Sequence, residues 1–184
     1  MLLGLAGVSG VGKSFFKDKL VEKLNFEKIK IITTRKIRNT EKNNEDKVFV
    51  TNKDLVNLRN SNKLAYEFNM LGNIYAYTNE ELFSNKNTVF ELHYNTIYDF
   101  KKICPNLCSI YIMPNNIKIP KEQIKKRHLD PDTEKKRLLE IDEHYNNILS
   151  NENLRNQFNY FFKNNYDKES ENKFINLIKE LINN

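Results

Sequence analysis

The chain has 184 residues, a hydrophobic fraction of 39%, 12 Phe, 9 Tyr and a formal net charge of +6. That suits one folded domain with a real core. It excludes a helical membrane span, since no run reaches ~18 apolar residues. The two cysteines, Cys104 and Cys108, make neither a disulfide framework nor a good zinc site.

Met1 to Ala6 reads as a strand and Phe15 to Leu24 as a helix, and between them lies Gly7-Val8-Ser9-Gly10-Val11-Gly12-Lys13-Ser14. This is the phosphate-binding P-loop pattern in its strand–loop–helix context. The loop amides and the helix N-terminus suit a triphosphate. Lys13 would reach its β- and γ-phosphates, and the Ser14 hydroxyl would hold Mg²⁺.

Lys28 to Thr33 reads as a strand, followed by a polar loop to Asp46 and a short strand over Lys47 to Val50. Thr51 caps a helix to Asn60, with Asp54 at its third position. Leu64 to Leu71 and Ile74 to Tyr77 are strands joined at Gly72-Asn73, and Thr78 caps a short helix. Thr88 to Leu92 is apolar on both faces, as in a buried parallel sheet. Tyr94 to Ile103 is helical and Leu107 to Met113 a strand. Helices follow at Lys121 to Leu129 and Thr133 to Leu149, separated by Asp130-Pro131-Asp132. Phe158 to Lys163 is a last strand and Asp167 to Ile182 a last helix. The alternation predicts an α/β fold with a parallel sheet flanked by helices, interrupted by a small mixed insertion.

The lysines are spread along the chain among acids, and the densest group, Lys118 to Arg127, has no interleaved aromatic residues, so no nucleic-acid partner is expected. Arginine is scarce, six of 30 basic residues. Because arginine is the residue for bidentate phosphate contacts, the pairs Arg35/Arg38 and Arg127/Arg137 stand out. With no basic leader ahead of Leu2, a reducing cytoplasm is the expected compartment and no membrane partner is expected.

The P-loop, then Thr33-Thr34-Arg35-Lys36-Ile37-Arg38-Asn39-Thr40-Glu41, Val48-Phe49-Val50 and Gly72-Asn73-Ile74-Tyr75, resembles the guanylate kinase family in order and spacing. Lys126-Arg127 and Lys136-Arg137 resemble the arginines of its mobile lid, and Asn164-Asn165 its turn near the nucleotide base. The resemblance implies a single domain with a P-loop core (1–33 and 85–184), an acceptor-binding subdomain (about 34–84) and a helical lid (about 121–137). It implies transfer of the γ-phosphate of ATP to a nucleoside monophosphate, GMP first, with Mg²⁺ as cofactor. Nucleotides are then the small-molecule partners of a monomer or homodimer. Residues 7–14 and Asn165 would bind ATP, and Ser14 and Glu91 the metal. Arg35, Arg38, Lys47, Glu67, Tyr75, Tyr77 and Glu91 would line the acceptor site. Lys13, Arg35, Arg38, Arg127 and Arg137 would serve catalysis.

The departures lie at the base. Tyr66 stands where that family has a guanine-reading glutamate, with Glu67 one residue later, on the opposite face of a regular strand. Ile31 and Tyr77 replace small hydroxyl residues, and Glu91-Leu92-His93 replaces Asp-x-Asp. Another phosphorylated acceptor, or a non-catalytic binding module, are the alternatives. The intact Lys13-Ser14 speaks against the second.

Overall fold

The apolar start of the chain forms β1 (Leu2–Ala6), buried from Leu3 onward. In this computed structural model, which describes residues 1–37, 43, 45–70 and 72–183, β1 is the middle strand of a five-stranded sheet. Arg38 lies outside the described residues. The other strands are β2 (Glu27–Lys28), β7 (Thr88–Glu91), β8 (Leu107–Pro114) and β9 (Tyr160–Asn164), in the order β2-β7-β1-β8-β9, all parallel. The sheet is apolar on both faces because helices cover both. On one face Leu3, Leu5, Ile110 and Ile112 pack with Phe16 and Leu20 of α1 (Lys13–Leu24) and Phe174 and Ile178 of α8 (Lys168–Asn183). On the other, Phe90, Leu92 and Tyr111 pack with Ile97 and Phe100 of α4 (Ile97–Ile103) and with Ile148 of α6 (Pro131–Ser150).

The insertion is a second, mixed sheet in the order β4-β3-β6-β5, built from β3 (Ile31–Thr33), β4 (Lys47–Phe49), β5 (Leu64–Met70) and β6 (Asn73–Thr78). The single strand expected over Lys28 to Thr33 is two strands in different sheets. Ile29 N still bonds the β7 carbonyl of Val89 at 3.0 Å, whereas Ile31 N bonds the Asp46 carbonyl at 3.3 Å. Between them Lys30 N donates to the Glu81 carboxylate. The second sheet therefore starts at Ile31, three residues before the expected boundary at 34. One face of it packs under α2 (Asn52–Asn60) through Ile32, Leu55 and Ala76. Helix α2 opens with a capping box in which Thr51 Oγ1 accepts from Asp54 N at 3.2 Å and Thr51 N donates to Asp54 Oδ2 at 2.9 Å.

Two short helices, α3 (Asn79–Leu82) and α7 (Glu152–Arg155), complete the connections, and α5 (Lys118–Lys125) precedes α6. Helix α6 starts two residues before the expected Thr133. Asp130 caps it, accepting from Thr133 N at 2.9 Å, and Pro131 takes the first helical position, where its missing N–H costs nothing. No helix of the described residues is long and apolar enough to cross a membrane.

Candidate active site

The P-loop connects β1 to α1 and forms one wall of a cleft of about 1310 Å³ whose other wall is the second sheet. Its turns require glycine. Gly10 has φ +82°, and a Cβ there would lie 2.6 Å from the Pro120 carbonyl oxygen. Gly12, at φ +98°, would place one 3.0 Å from Asn164 Nδ2. Gly12 is the N-cap of α1 and makes no side-chain cap, which leaves the helix N-terminus to an anion in the cleft.

Lys13 Nζ donates to the carbonyls of Gly7 and Val8 at 2.9 and 3.1 Å. Burial lowers its pKa; Glu91 opposes the shift and Arg127 reinforces it. Ser14 Oγ donates to Glu91 Oε1 at 2.9 Å, joining the start of α1 to the end of β7. Burial alone would raise the Glu91 pKa, but the ammonium groups of Lys17, Lys13 and Lys47 and the Ser14 hydroxyl bring it down to about 2. Glu91 nevertheless keeps 39% of its side-chain surface exposed on the cleft side. An ionised carboxylate beside a hydroxyl is a hard oxygen pair, which fits Mg²⁺ held mainly by substrate phosphates. No group of three or more His, Cys, Asp or Glu among the described residues could chelate an ion by itself.

Across the cleft, Arg35, Lys47, Tyr75 and Tyr77 line the second sheet. Arg35 follows β3 and Tyr75 lies on β6, and the pairing Thr33↔Tyr75 brings their strands side by side. The Arg35 guanidinium lies 5.3 Å from the Phe49 ring centroid. Strand β5 pairs Phe68 with Tyr75 and Tyr66 with Tyr77, so these four rings share one face. Tyr77 is buried and its hydroxyl donates to the Glu91 carbonyl at 3.1 Å, so it shapes the floor of the site.

Glu67 is a correction to the expected acceptor site. It pairs with Ala76 on the α2 face, and Arg59 of α2 donates to both its carboxylate oxygens, at 2.8 and 2.6 Å. The strand does carry an irregularity, at Ala65 between Leu64 and Tyr66, but it precedes Glu67 and leaves it on the α2 face. Tyr66, on the cleft side of the strand, turns its hydroxyl onto Asp99 Oδ2 at 2.8 Å. Asn165 is a second correction. Its exposed side chain does not line the cleft, whereas buried Asn164 does and donates to the Val11 carbonyl at 2.9 Å.

Arg127 lies just after α5 and Arg137 in the second turn of α6, and both line the cleft. Arg137 Nη1 meets Glu140 Oε2 at 2.6 Å. Residues not singled out from the sequence complete the wall. His144 of α6 stacks on Tyr94 with centroids 3.7 Å apart, and its Nε2 lies 2.9 Å from the Tyr111 hydroxyl. Burial, with Lys13 and His93 adding to it, pushes the His144 pKa down to about 2. His93 is lowered in the same way, by burial first. Burial thus favours the neutral form of both rings. Lys17, one helical turn after Lys13, is the other addition.

A parallel five-stranded sheet with a P-loop after its middle strand, facing a second sheet across a cation-lined cleft, defines a P-loop α/β protein whose cleft suits anionic ligands. A family model described as guanylate kinase matches residues 2–180. The chain belongs to the guanylate kinase family. It is 28% identical over 165 residues to a guanylate kinase of Mesoplasma florum, covering 83% of this chain and 56% of that one. A guanylate kinase of Lactobacillus johnsonii is 30% identical over 138 residues, 72% of this chain and 68% of that one. The chain thus spans little more than half the length of the Mesoplasma relative. In fold it is similar to a guanylate kinase from Anaplasma phagocytophilum, with a TM-score of 0.69, 20% identity and coverage of 98% of this chain and 85% of that one. A shikimate kinase from Bacteroides thetaiotaomicron shares the general architecture, at a TM-score of 0.51 and 13% identity, over 100% of this chain and 99% of that one.

Proposed function

We propose that this protein transfers the γ-phosphate of ATP to a nucleoside monophosphate, GMP first, giving ADP and GDP. The observation that carries the reading is the shared cleft. It sets Lys13, Ser14 and Glu91 on one wall and Arg35, Lys47 and Tyr75 on the other. Family membership and the relatives named guanylate kinase support it. A non-catalytic module would have no use for Ser14 and Glu91 held together at the P-loop.

Phosphoryl transfer needs little covalent help, so positioning and charge neutralisation do the work. Lys13 exchanges its two loop carbonyls for the β- and γ-phosphates of ATP. Ser14 and Glu91 would hold Mg²⁺, which would supply charge neutralisation to the triphosphate. Arg35, Lys47 and the Tyr75 hydroxyl fix the acceptor phosphate, and Arg38 is assigned to the same clamp. Arg127 and Arg137 supply positive charge to the transferring group when the segment at 121–137 closes. Asn164 braces the P-loop from the base side. A reducing cytoplasm suits the two free cysteines.

The test is ADP release by the purified protein with ATP, Mg²⁺ and a panel of nucleoside monophosphates and sugar phosphates. Turnover with GMP supports the reading. Failure of the wild-type protein to bind ATP with Mg²⁺ in calorimetry ends it.

A further inference from the structure

Lys17 is 4% exposed, in a helix whose exposed face has ample room for a lysine. Burying an ammonium is costly unless carboxylates compensate it. Here two do, and they come from different sheets. Lys17 Nζ lies 3.3 Å from Glu91 Oε1, at the end of β7 in the P-loop sheet. It lies 3.6 Å from Asp46 Oδ2, in the segment that leads into β4 of the second sheet. Lys28, beside β7, holds the other Asp46 oxygen at 3.1 Å and meets Asp18 of α1 at 2.6 Å. Asp46 Oδ1 is buried without a directed hydrogen bond among the described residues, so charge holds it in place.

The chain of contacts runs from Ser14 to Glu91, Lys17 and Asp46, and Lys47 is the next residue. Asp46 also fixes its own sheet, since its carbonyl accepts from Ile31 N at 3.3 Å. The donor loop and the acceptor-phosphate clamp therefore meet at one buried ammonium.

We propose that Lys17 is a positioning residue that ties the Asp46-Lys47 segment of the acceptor sheet to the P-loop helix and so sets the acceptor-phosphate clamp against the donor site. The expectation for acceptor kinetics rests on the kinase reading above. The tie itself does not. Lys17 touches no transferring atom; it acts through Asp46 and Glu91. Lys17 meets both carboxylates, whereas Lys28 meets Asp46 and Asp18, so a neutral side chain of similar length at 17 removes the link between Glu91 and Asp46.

The test uses the full chain with K17M, K17R, D46N and the K17M/D46N double variant. Hydrogen exchange of the Lys47–Phe49 amides is read first, because it needs no turnover. We expect about tenfold faster exchange in K17M and in D46N, no further gain in the double variant, and recovery in K17R. With ATP, Mg²⁺ and GMP, we expect the KM for GMP to rise about tenfold in D46N, which leaves the Lys17–Glu91 contact in place, while the KM for ATP stays within about twofold, a split that general loss of packing would not produce. Exchange at Lys47–Phe49 in K17M equal to wild type overturns the proposal. Equal rises of both KM values with additive effects in the double variant also overturn it. Wild-type protein that does not phosphorylate GMP counts against the kinase reading alone, and the exchange arm then decides the tie.

Discussion

The Ser14 hydroxyl donates to Glu91 Oε1 at 2.9 Å, which closes the end of β7 onto the first turn of α1. This contact joins the two oxygens that suit a magnesium ion, and Glu91 is held ionised there by Lys17, Lys13 and Lys47 against the effect of burial. Its folded pKa of about 2 lies below the ordinary carboxylate value of 4.5. The stability it contributes is present above that ordinary value and is lost as pH falls through the folded one. Glu91→Gln should therefore flatten the acid limb of the stability curve between those two values. It should also raise the Mg²⁺ concentration needed for half-maximal ATP turnover. Titrating the wild-type protein and the variant with Mg²⁺ and with acid checks this; identical metal requirements would remove Glu91 from the metal site.

Lys13→Ala should lower turnover by ~10²–10³, by analogy with deletion of one donor from an oxyanion site. The fold should survive, because among the described residues the ammonium hydrogen-bonds to the loop carbonyls of Gly7 and Val8 and to no side chain. Thermal unfolding with and without ATP and Mg²⁺ separates the two effects: the variant should keep its melting temperature and lose the nucleotide-induced rise.

His144 makes stability depend on pH with the opposite cause. Its folded pKa, pushed down to about 2 by burial, is below the free imidazole value of 6.5, so the unfolded chain binds the extra proton first. Stability then rises with pH across that window, by about 1.4 kcal/mol per unit for one proton. His93 is lowered too and adds in the same direction. Urea unfolding from pH 6.5 down to pH 4.5 should show a shallower loss in His144→Gln, which keeps a polar partner for the Tyr111 hydroxyl. A slope unchanged by the substitution would mean that His144 is protonated in the folded protein.

Acceptor selectivity should be weaker than a guanine-reading carboxylate would confer. Glu67 is paired with Arg59 on the α2 face and Tyr66 is bonded to Asp99, so neither turns a carboxylate toward the base. A site that lacks the hydrogen-bond partner of a substrate group discriminates poorly for that group. Glu67→Gln should leave the KM for GMP unchanged and cost under about 1 kcal/mol of stability, as for an exposed ion pair. Activity on AMP, CMP and UMP should be measurable beside GMP. A Glu67→Gln variant that loses GMP alone would contradict this.

The segment at 121–137 should gain hydrogen-exchange protection when both substrates bind. Arg127 lies in the short connection from α5 to α6 and Arg137 in the second turn of α6, and Asp130 and Pro131 start α6 sharply. Equal protection with and without ATP and a nucleoside monophosphate would argue against closure.

The P-loop, the parallel sheet and most elements were legible in the chain, because each rests on contiguous residues: a Gly-Lys-Ser loop between a strand and a helix, apolar strands, the Thr51–Asp54 capping box. The alternation of β5 also showed that Tyr66 and Glu67 face opposite ways. Which face meets the cleft depends on α2 covering the other, a contact between distant segments. The same holds for Asn164 in place of Asn165, where the end of β9 is judged by its approach to Gly12. The break between Lys28 and Ile31 had no local signal, since Glu81 and Asp46, far along the chain, divide it between two sheets. Lys17 carries no local signal in a lysine-rich chain. Only the tertiary structure set it between two carboxylates, because charge compensation in a buried site is a property of position in space and not of neighbours in sequence.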